Sequence, residues 1–419
     1  MSKHLRIWLF ALLGTLLAST TLLAQGVITM TTSQRIGEEI GLIIEAKGKV
    51  SIDGALKTGK TDGFGFKYYR LKSQTITIRG DVTKLVCNKR QLTNLDVSSC
   101  TSLKVLRCAY NQLTSLDLSQ NTALTVLWCP DNQLTSLDVS KNTALTYLGC
   151  DGNQLTSLDV SKNTALINLD CYRNQLMSLD LSKNTALKVL DCSYNQLTSL
   201  DVSKNPALTK LDCSYNQLTS LDLSKNTALT KLDCSYNQLT SLGLPKKSPL
   251  TELDCGSNQL TSLDLLQNTA LKYLTCFNNQ LTSLDVSKNT ALKYIKCQRN
   301  QLTRLDASGC TALTELWCSN NQLTTLEVSK NTALERLYCH DNQLTTLEVS
   351  KNTALEWLDC SSNYINGKAM TKLVNSLPNR SGESSGSILV DRSSKKRDNN
   401  RCSAADVTTA RKKNWEVGQ

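Results

Sequence analysis

Histidine is almost absent from this chain. Its 419 residues include only two, His4 and His340. The second directly follows Cys339, one of a series of regularly spaced cysteines whose side chains should point into the core. Ser-His-Asp and Cys-His catalytic sites need an imidazole beside an accessible nucleophile. Carboxylates are plentiful, but they recur by repetition rather than as an isolated pair. The sequence therefore predicts a protein that is not an enzyme and has no cofactor.

Paired cysteine motifs and long apolar runs are missing as well. No two of the seventeen cysteines have C-x-x-C spacing, which argues against a structural zinc site, and no metal is expected. No run after residue 24 is long enough to cross a membrane. Residues 1–24 place Lys3 and Arg6 before an apolar run and small residues, which predicts a signal peptide. We expect a secreted or cell-surface protein without a transmembrane segment once this peptide is cleaved.

A basic stripe is the third absence. The net charge is +11, yet residues 82–360 contain 25 basic and 25 acidic side chains. Nucleic-acid-binding proteins concentrate lysine and arginine on one face, so no nucleic-acid partner is expected. The excess lies toward the chain ends, for example in Lys395-Lys396-Arg397, and such runs usually form a solvated face.

What the chain does have is a cysteine at every twenty-first position over most of its length. These are Cys87, Cys108, Cys129, Cys150, Cys171, Cys192, Cys213, Cys234, Cys255, Cys276, Cys297, Cys318, Cys339 and Cys360. Around them the chain reads L-x-x-L-x-C-x-x-N-x-L, the leucine-rich-repeat signature, and this predicts a solenoid with a parallel sheet on its concave face. No segment between two cysteines has helical spacing, so the convex side should be mostly non-helical. Side chains on neighbouring parallel strands point the same way, which predicts fourteen buried free thiols rather than disulfides.

The two ends of the repeat array differ from its middle. Residues 25–81 alternate short apolar runs with glycines, which predicts a small β-rich N-terminal cap. The repeats occupy residues 82–363 in about fourteen rungs of 21 residues. After Cys360 the spacing lengthens, and residues 364–419 are expected to form an α/β C-terminal cap. Its helices are predicted over 367–377 and 404–414, the second with Ser403 as N-cap, and its strands over 388–390 and 415–417.

The repeats resemble the cysteine-ladder leucine-rich repeats of the internalin family of bacterial surface proteins. The resemblance covers residues 82–363 and rests on the period, the cysteine position and segments such as residues 132–145, Asn-Gln-Leu-Thr-Ser-Leu-Asp-Val-Ser-Lys-Asn-Thr-Ala-Leu. It implies a secreted or cell-surface binding role, often in adhesion or biofilm formation. It does not imply a particular ligand.

One further motif is familiar but lacks its context. Gly54 to Thr61 matches the phosphate-binding pattern G-x-x-x-x-G-K-T, which requires a helix directly after the lysine. The following residues, Asp-Gly-Phe-Gly-Phe, do not favour a helix, so a hairpin loop is the preferred interpretation.

Residues that flank the cysteines should project from the concave face, where they form the candidate ligand surface. Five consecutive rungs carry aspartate before the cysteine, and aromatic residues stand around this acidic row. The candidate residues are Trp128, Asp170, Tyr172, Asp191, Tyr194, Asp212, Tyr215, Asp233, Tyr236, Asp254, Tyr273, Phe277, Tyr294, Trp317, Tyr338 and Trp357. Aromatic anchors carry much interface energy, so we expect a protein or glycan partner. Tandem copying of one rung could also produce the acidic row, and the alternative function is a structural spacer or surface-matrix component without a specific ligand.

Overall fold

The structure, a computed structural model, describes residues 26–391 and 399–418. The expected signal peptide, 1–24, and the basic run 395–397 lie outside the described residues. The chain forms two compact units, Met1–Gln175 and Leu176–Gln419, and in each of them the repeats stack as a parallel β-solenoid. Among the described helices, none is long and apolar enough to cross a membrane.

Eight strands build the N-terminal part of the first unit. They are β1 (Val27–Thr32), β2 (Glu39–Ala46), β3 (Ser51–Asp53), β4 (Ala55–Thr61), β5 (Lys67–Leu71), β6 (Thr75–Arg79), β7 (Val82–Val86) and β8 (Leu92–Asp96). They pair antiparallel in the orders β3-β6-β1-β8 and β4-β5-β2-β7. The expected β-rich cap is therefore present. Most of the phosphate-binding-like motif lies in β4, a strand paired with β5, and no helix follows its lysine.

The repeat strands of the first unit continue from β7. They are β9 (Val105–Arg107), β10 (Val126–Trp128), β11 (Tyr147–Gly149) and β12 (Asn168–Asp170), and all pair in parallel and in register. Each consists of three residues, with the middle leucine buried and the outer two facing away from the core. This alternation follows from the two-residue period of a strand.

The second unit also contains a parallel repeat sheet. Its strands are β13 (Val189–Asp191), β14 (Lys210–Asp212), β16 (Lys231–Asp233), β18 (Glu252–Asp254), β19 (Tyr273–Thr275), β21 (Tyr294–Lys296), β23 (Glu315–Trp317), β24 (Arg336–Tyr338) and β25 (Trp357–Asp359). On the opposite side of the rungs two short parallel pairs form. They are β15 (Leu221–Asp222) with β17 (Leu242–Gly243), and β20 (Ser283–Asp285) with β22 (Arg304–Asp306). In the described part of the chain the repeats contain no helix, as their spacing predicts.

Two helix-bearing turns follow the last regular rung. Helix α1 (Gly367–Ser376) leads to β26 (Gly386–Leu389), and α2 (Ala404–Lys412) leads to β27 (Trp415–Gly418). Both strands extend the parallel sheet from β25. Ser403 caps α2 as predicted: its hydroxyl accepts from the backbone N–H of Asp406, whose carboxylate accepts from the backbone N–H of Ser403. The predicted α/β cap is confirmed.

Leucine and cysteine fill the interior of every rung. The fourteen ladder cysteines are free and buried, and so are Cys100 and Cys310. Burial raises the pKa of thiols such as Cys213 well above the usual value of 9, because the thiolate would lose its hydration. The ladder is therefore a wall of small, protonated, apolar groups.

Two rows of buried asparagines join successive rungs. In the first row Asn132 donates from its side-chain amide to the carbonyl oxygens of Cys108 and Cys129, and its Oδ1 accepts from the backbone N–H of Leu113. In the second row Asn142 donates to the carbonyl oxygens of Leu118 and Asn121. These bonds satisfy backbone groups that no strand partner reaches. Asparagine side chains therefore bond one rung to the next.

Non-repeat residues take over this bonding at both ends. The first rung has Arg90 in place of asparagine; its Nε donates to the carbonyl oxygen of Gly41 in β2, at 2.6 Å, and its guanidinium lies over the ring of Phe66. Beyond the last regular rung, Asn400 donates to the carbonyl oxygen of Cys360 and accepts from the backbone N–H of Ile365, each at 2.8 Å. Asn400 thus occupies the position of a repeat asparagine although the 21-residue spacing has been lost.

Candidate functional site

Two columns of side chains project from the repeat sheet, and we call this surface the sheet face. One column lies three residues before each ladder cysteine and the other lies one residue before it. In β14 these positions are Lys210 and Asp212, with Leu211 buried between them. Because the leucines and cysteines already fill the core, the outward residues of the strands are free to vary without cost to packing.

Four aspartates of the second unit form a continuous row on the sheet face. They are Asp191, Asp212, Asp233 and Asp254, and consecutive members pair in register along the parallel strands. Oδ1 of Asp212 accepts from the Ser214 hydroxyl and the Ser214 backbone N–H, and the next rung repeats this arrangement. Within the described residues, the second oxygen of these four carboxylates accepts no hydrogen bond. That oxygen is therefore available to a partner.

Burial makes three members of this acidic row, Asp191, Asp233 and Asp254, costly to ionise. Desolvation, together with the neighbouring aspartates, raises the pKa of Asp191 and of Asp233. Desolvation and the charge of Asp233 raise the pKa of Asp254 to about 6. A basic group supplied by a partner would offset both the desolvation and the repulsion between neighbouring aspartates, because an opposite charge favours the ionised carboxylate.

A trough of about 630 Å³ runs between the two columns of the second unit. The four aspartates form one side, and the other is formed by Val189, Lys210, Lys231, Glu252 and Tyr273. Lys231 pairs with Glu252 of the following rung at 2.6 Å. Lys231 thus pairs with the following rung rather than with Asp233, two residues away in its own strand. Within the described residues no cluster of three potential metal ligands occurs.

Three tyrosines follow the acidic row as a stacked ladder. Tyr194, Tyr215 and Tyr236 have ring centroids 4.1 and 4.2 Å apart and nearly parallel planes. Each has a positive φ near 50°, which tyrosine seldom adopts, and each donates its backbone N–H to the next rung. Phe277 meets the end of the stack edge-on, 6.1 Å from Tyr236. Tyr215 therefore has both faces covered, Tyr194 and Tyr236 each have one face stacked on Tyr215, and the ring edges and hydroxyls stay exposed.

A second aromatic group lies at the other end of the sheet face. The rings of Trp317 and Tyr338 stack at 3.8 Å, and Trp357 lies 6.2 Å from Tyr338. The amino group of Lys296 lies over the rings of both Tyr294 and Trp317. The indole N–H of Trp317 donates to Glu315, which also pairs with Arg336 at 2.6 Å.

The first unit holds the remaining three candidates, Trp128, Asp170 and Tyr172. Trp128 and Asp170 lie on the sheet face, and Tyr172 lies in the turn that follows it. Burial, followed by nearby aspartates, raises the pKa of Tyr172 to about 12. Sequence reasoning missed Tyr147, which occupies the same outward position as the candidates Tyr273 and Tyr294, three residues before a ladder cysteine. That spacing could have identified it.

His340 is held between two carboxylates beside the ladder. Its Nδ1 lies 2.8 Å from Asp341 and its Nε2 lies 3.9 Å from Asp359. The neighbouring thiol of Cys339 is fully buried, and desolvation raises its pKa well above 9. A protonated, enclosed thiol cannot serve as the nucleophile that a Cys-His site requires.

The repeats of this chain match a known protein family. The family model described as "Leucine Rich repeats (2 copies)" matches residues 206–246, 250–289 and 290–331. The functional domain of InlJ from Listeria monocytogenes, described as including a cysteine ladder, is 36% identical, with 77% of each chain covered and a TM-score of 0.61. A leucine-rich-repeat protein of Leptospira interrogans is 26% identical, with 76% of this chain and 85% of that one covered and a TM-score of 0.63.

A third similar structure is YopM of Yersinia enterocolitica. It is 28% identical, with 68% of this chain and 61% of that one covered and a TM-score of 0.59. A search of curated protein sequences found no match.

Proposed function

The chain belongs to the leucine-rich-repeat family that includes the cysteine-ladder internalins, and from this we propose that it is an exported, non-enzymatic recognition protein. Leucine-rich-repeat proteins generally mediate protein recognition. The partner we propose is a protein on the surface of a host or bacterial cell, bound on the sheet face of the second unit. Adhesion is the role that such binding would serve.

The observation that carries this proposal is the stacked pair Trp317 and Tyr338. Both side chains project from the sheet while Leu316 and Leu337 fill the core beneath them. Two large aromatic rings on the outer side of three-residue strands contribute nothing to the leucine core. Partly exposed aromatic groups of this kind are typical of interface anchors.

A protein partner fits this face better than a glycan does. Sugars are usually bound against open aromatic faces, but both faces of Tyr215 are occupied by neighbouring tyrosines, and those of Trp317 are occupied by Tyr338 and the amino group of Lys296. The edges, hydroxyls and carboxylates that stay exposed suit a surface carrying basic and apolar side chains. The aspartate oxygens along the trough would receive the basic groups.

The test measures binding of the labelled protein to host cells and to bacterial cells. The double variant Trp317→Ala, Tyr338→Ala should bind at least tenfold more weakly, since truncating a central aromatic anchor costs about 2 kcal/mol or more. Tyr364→Ala is the matched control, because Tyr364 is 47% exposed and lies outside the strands of the sheet face. Thermal unfolding of each variant shows whether the fold is retained.

Treating the cells before binding separates the partner classes. Protease treatment should abolish binding, whereas glycosidase treatment should preserve it; the reverse result would favour a glycan. If the double variant binds as well as the wild type, the sheet face of the second unit is not the site. If the wild type binds neither kind of cell, the structural spacer is the better description.

A further inference from the structure

A small cavity opens on the sheet face of the first unit, and none of the residues that line it belongs to the partner surface proposed on the second unit. It has a volume of about 310 Å³ and is lined by Arg107, Val126, Trp128 and Tyr147. Strands β9, β10 and β11 present these residues in register, with Trp128 opposite Arg107 on one side and Gly149 on the other. The volume suits one small molecule or one or two side chains.

Gly149 fixes the aromatic wall of this cavity. A Cβ atom at position 149 would lie 2.6 Å from Cδ1 of Trp128 and 3.2 Å from Cε1 of Tyr147. Only glycine therefore lets the indole lie across the next strand with the tyrosine ring beside it. Other rungs carry arginine, aspartate or another side chain at this position, so the opening depends on this local departure from the repeat.

The polar groups of the cavity are predominantly hydrogen-bond donors. Arg107 and Trp128 have only donors, and Tyr147 has a hydroxyl that can donate. Within the described residues, none of these three side chains forms a hydrogen bond or an ion pair. Burial raises the pKa of Tyr147 and keeps its hydroxyl protonated. Other basic residues at outward positions of the sheet form ion pairs: Lys84 pairs with Glu45 at 2.8 Å, and Arg336 pairs with Glu315.

The charge around the cavity sets the chemistry of an occupant. Arg107 is the one charged residue among those that line it, and no carboxylate of the described chain does so. Asp151, in the rung of Tyr147, and Asp170, in the next rung, raise the pKa of Tyr147 through their charge. A cation would be repelled by the guanidinium, while a doubly charged phosphate would find one positive charge and no second base. A single carboxylate matches one guanidinium fork.

We propose that this cavity binds one carboxylate carried on a short apolar body. Arg107 pairs with the carboxylate, Tyr147 donates a hydrogen bond to it, and Val126 and Trp128 contact the apolar part. The proposal shares no residue with the partner surface of the second unit, so either can fail without the other. The carboxylate can belong to a free small acid or to an acidic side chain of a protein.

The experiment uses 3-phenylpropionate as the free acid and 3-phenylpropanamide as its neutral counterpart. Both are titrated into the wild-type protein at millimolar concentration, and binding is followed by ligand-observed NMR and by the indole resonance of Trp128. The acid should bind at least tenfold more tightly than the amide. Arg107→Gln should remove this preference, and Gly149→Ala should weaken acid binding by displacing the indole. Arg299→Gln, at an exposed arginine of another rung, is the control and should bind the acid as the wild type does.

A second pair of probes identifies the source of the carboxylate. Acetyl-Leu-Glu-Leu-amide and its glutamine counterpart are compared in the same way. Preference for the glutamate peptide supports an acidic side chain of a protein, and binding of phenylpropionate alone supports a free acid. Equal binding of acid and amide forms by the wild type would overturn the proposal. So would an Arg107→Gln variant that keeps the preference for the acid.

Discussion

The side-chain amide of Asn216 bonds to two rungs at once. It donates to the carbonyl oxygen of Cys213 at 3.2 Å and to that of Cys192, one rung earlier, at 3.0 Å. Its Oδ1 accepts from the backbone N–H of Leu197 at 2.9 Å. All these groups are buried, so one side chain satisfies backbone atoms that water cannot reach.

Replacing this asparagine should be far more damaging than replacing its neighbour. Asn216→Ala leaves buried backbone groups without partners, and each costs about 1–3 kcal/mol. We expect the free energy of unfolding to fall by about 2–4 kcal/mol, measured by urea denaturation. Gln217→Ala changes an exposed residue of the same rung and should stay within about 0.5 kcal/mol of the wild type. Similar urea midpoints for the two variants would contradict the role given to the asparagine row.

Thiol counting checks the cysteine ladder directly. All seventeen cysteines are free and sixteen of them are buried, with Cys402 partly exposed. In urea under reducing-agent-free, anaerobic conditions, all seventeen should react with a thiol reagent, whereas the native protein should show about one reactive group. Cys402→Ser should remove the native reaction and leave sixteen in urea. A substantially lower count in urea would reveal disulfides and refute the packing argument.

The same thiols make the fold sensitive to alkali. Burial raises the pKa of ladder thiols such as Cys192 and Cys255 well above 9 in the native state, whereas the unfolded chain ionises near 9. The stability contributed by these protonated thiols is therefore complete at neutral pH and is lost as pH rises above 9. Each thiol lowers the free energy of unfolding by about 1.4 kcal/mol per pH unit there. Urea midpoints should change little from pH 7 to 8 and fall steeply by pH 10; a flat profile would be inconsistent with buried neutral thiols.

Asp254 should show a pH dependence in a lower range. Its native pKa, raised from 3.8 to about 6 by burial, means that the native state holds the proton more strongly than the unfolded chain. Ionisation therefore costs stability above pH 6, and the cost disappears toward pH 4. Asp254→Asn can keep the hydrogen bond from the Gly256 backbone N–H, so at pH 8 it should stabilise the protein by roughly 1–2 kcal/mol.

The control for this prediction is Asp138, an exposed aspartate on the side of its rung opposite the sheet face. Hydrogen bonds from Ser140 lower the pKa of Asp138, so Asp138→Asn should lower stability slightly at neutral pH. Urea midpoints of both variants at pH 4, 6 and 8 decide the matter. If Asp254→Asn destabilises the protein at pH 8, the acidic row does not cost the fold stability.

The period of the sequence was sufficient to predict the scaffold. Every rung has the same spacing, so the inward leucine and cysteine, the outward columns and the asparagine contacts follow from one rung. The N-terminal cap was predicted from its apolar runs, and the last helix of the C-terminal cap was predicted from Ser403, a residue type typical of helix N-caps. Strand β4 was missed because Gly59 and its polar neighbours resemble a turn, and its pairing with β5 outweighs that local preference.

The details of the surface could not be predicted in this way. Lys231 pairs with Glu252 across rungs, and Trp128 lies over Gly149, because the paths of long side chains depend on which residues stand next to them in three dimensions. A repeat gives positions and not rotamers. The cavity beside Arg107 is the clearest example, since it requires three rungs that differ from the consensus in complementary ways.

The side-chain amides of Asn216 and Asn400 donate toward the N-terminus. Asn216 completes the rung of Cys192, and Asn400 completes the rung of Cys360, in each case by donating to a carbonyl oxygen earlier in the chain. During synthesis from the N-terminus, the newest rung therefore lacks these side-chain bonds until the next rung has emerged. The rungs of such a chain should therefore be completed in order from the N-terminus. For the last regular rung, the completing bond comes from Asn400, which lies in a segment outside the repeats.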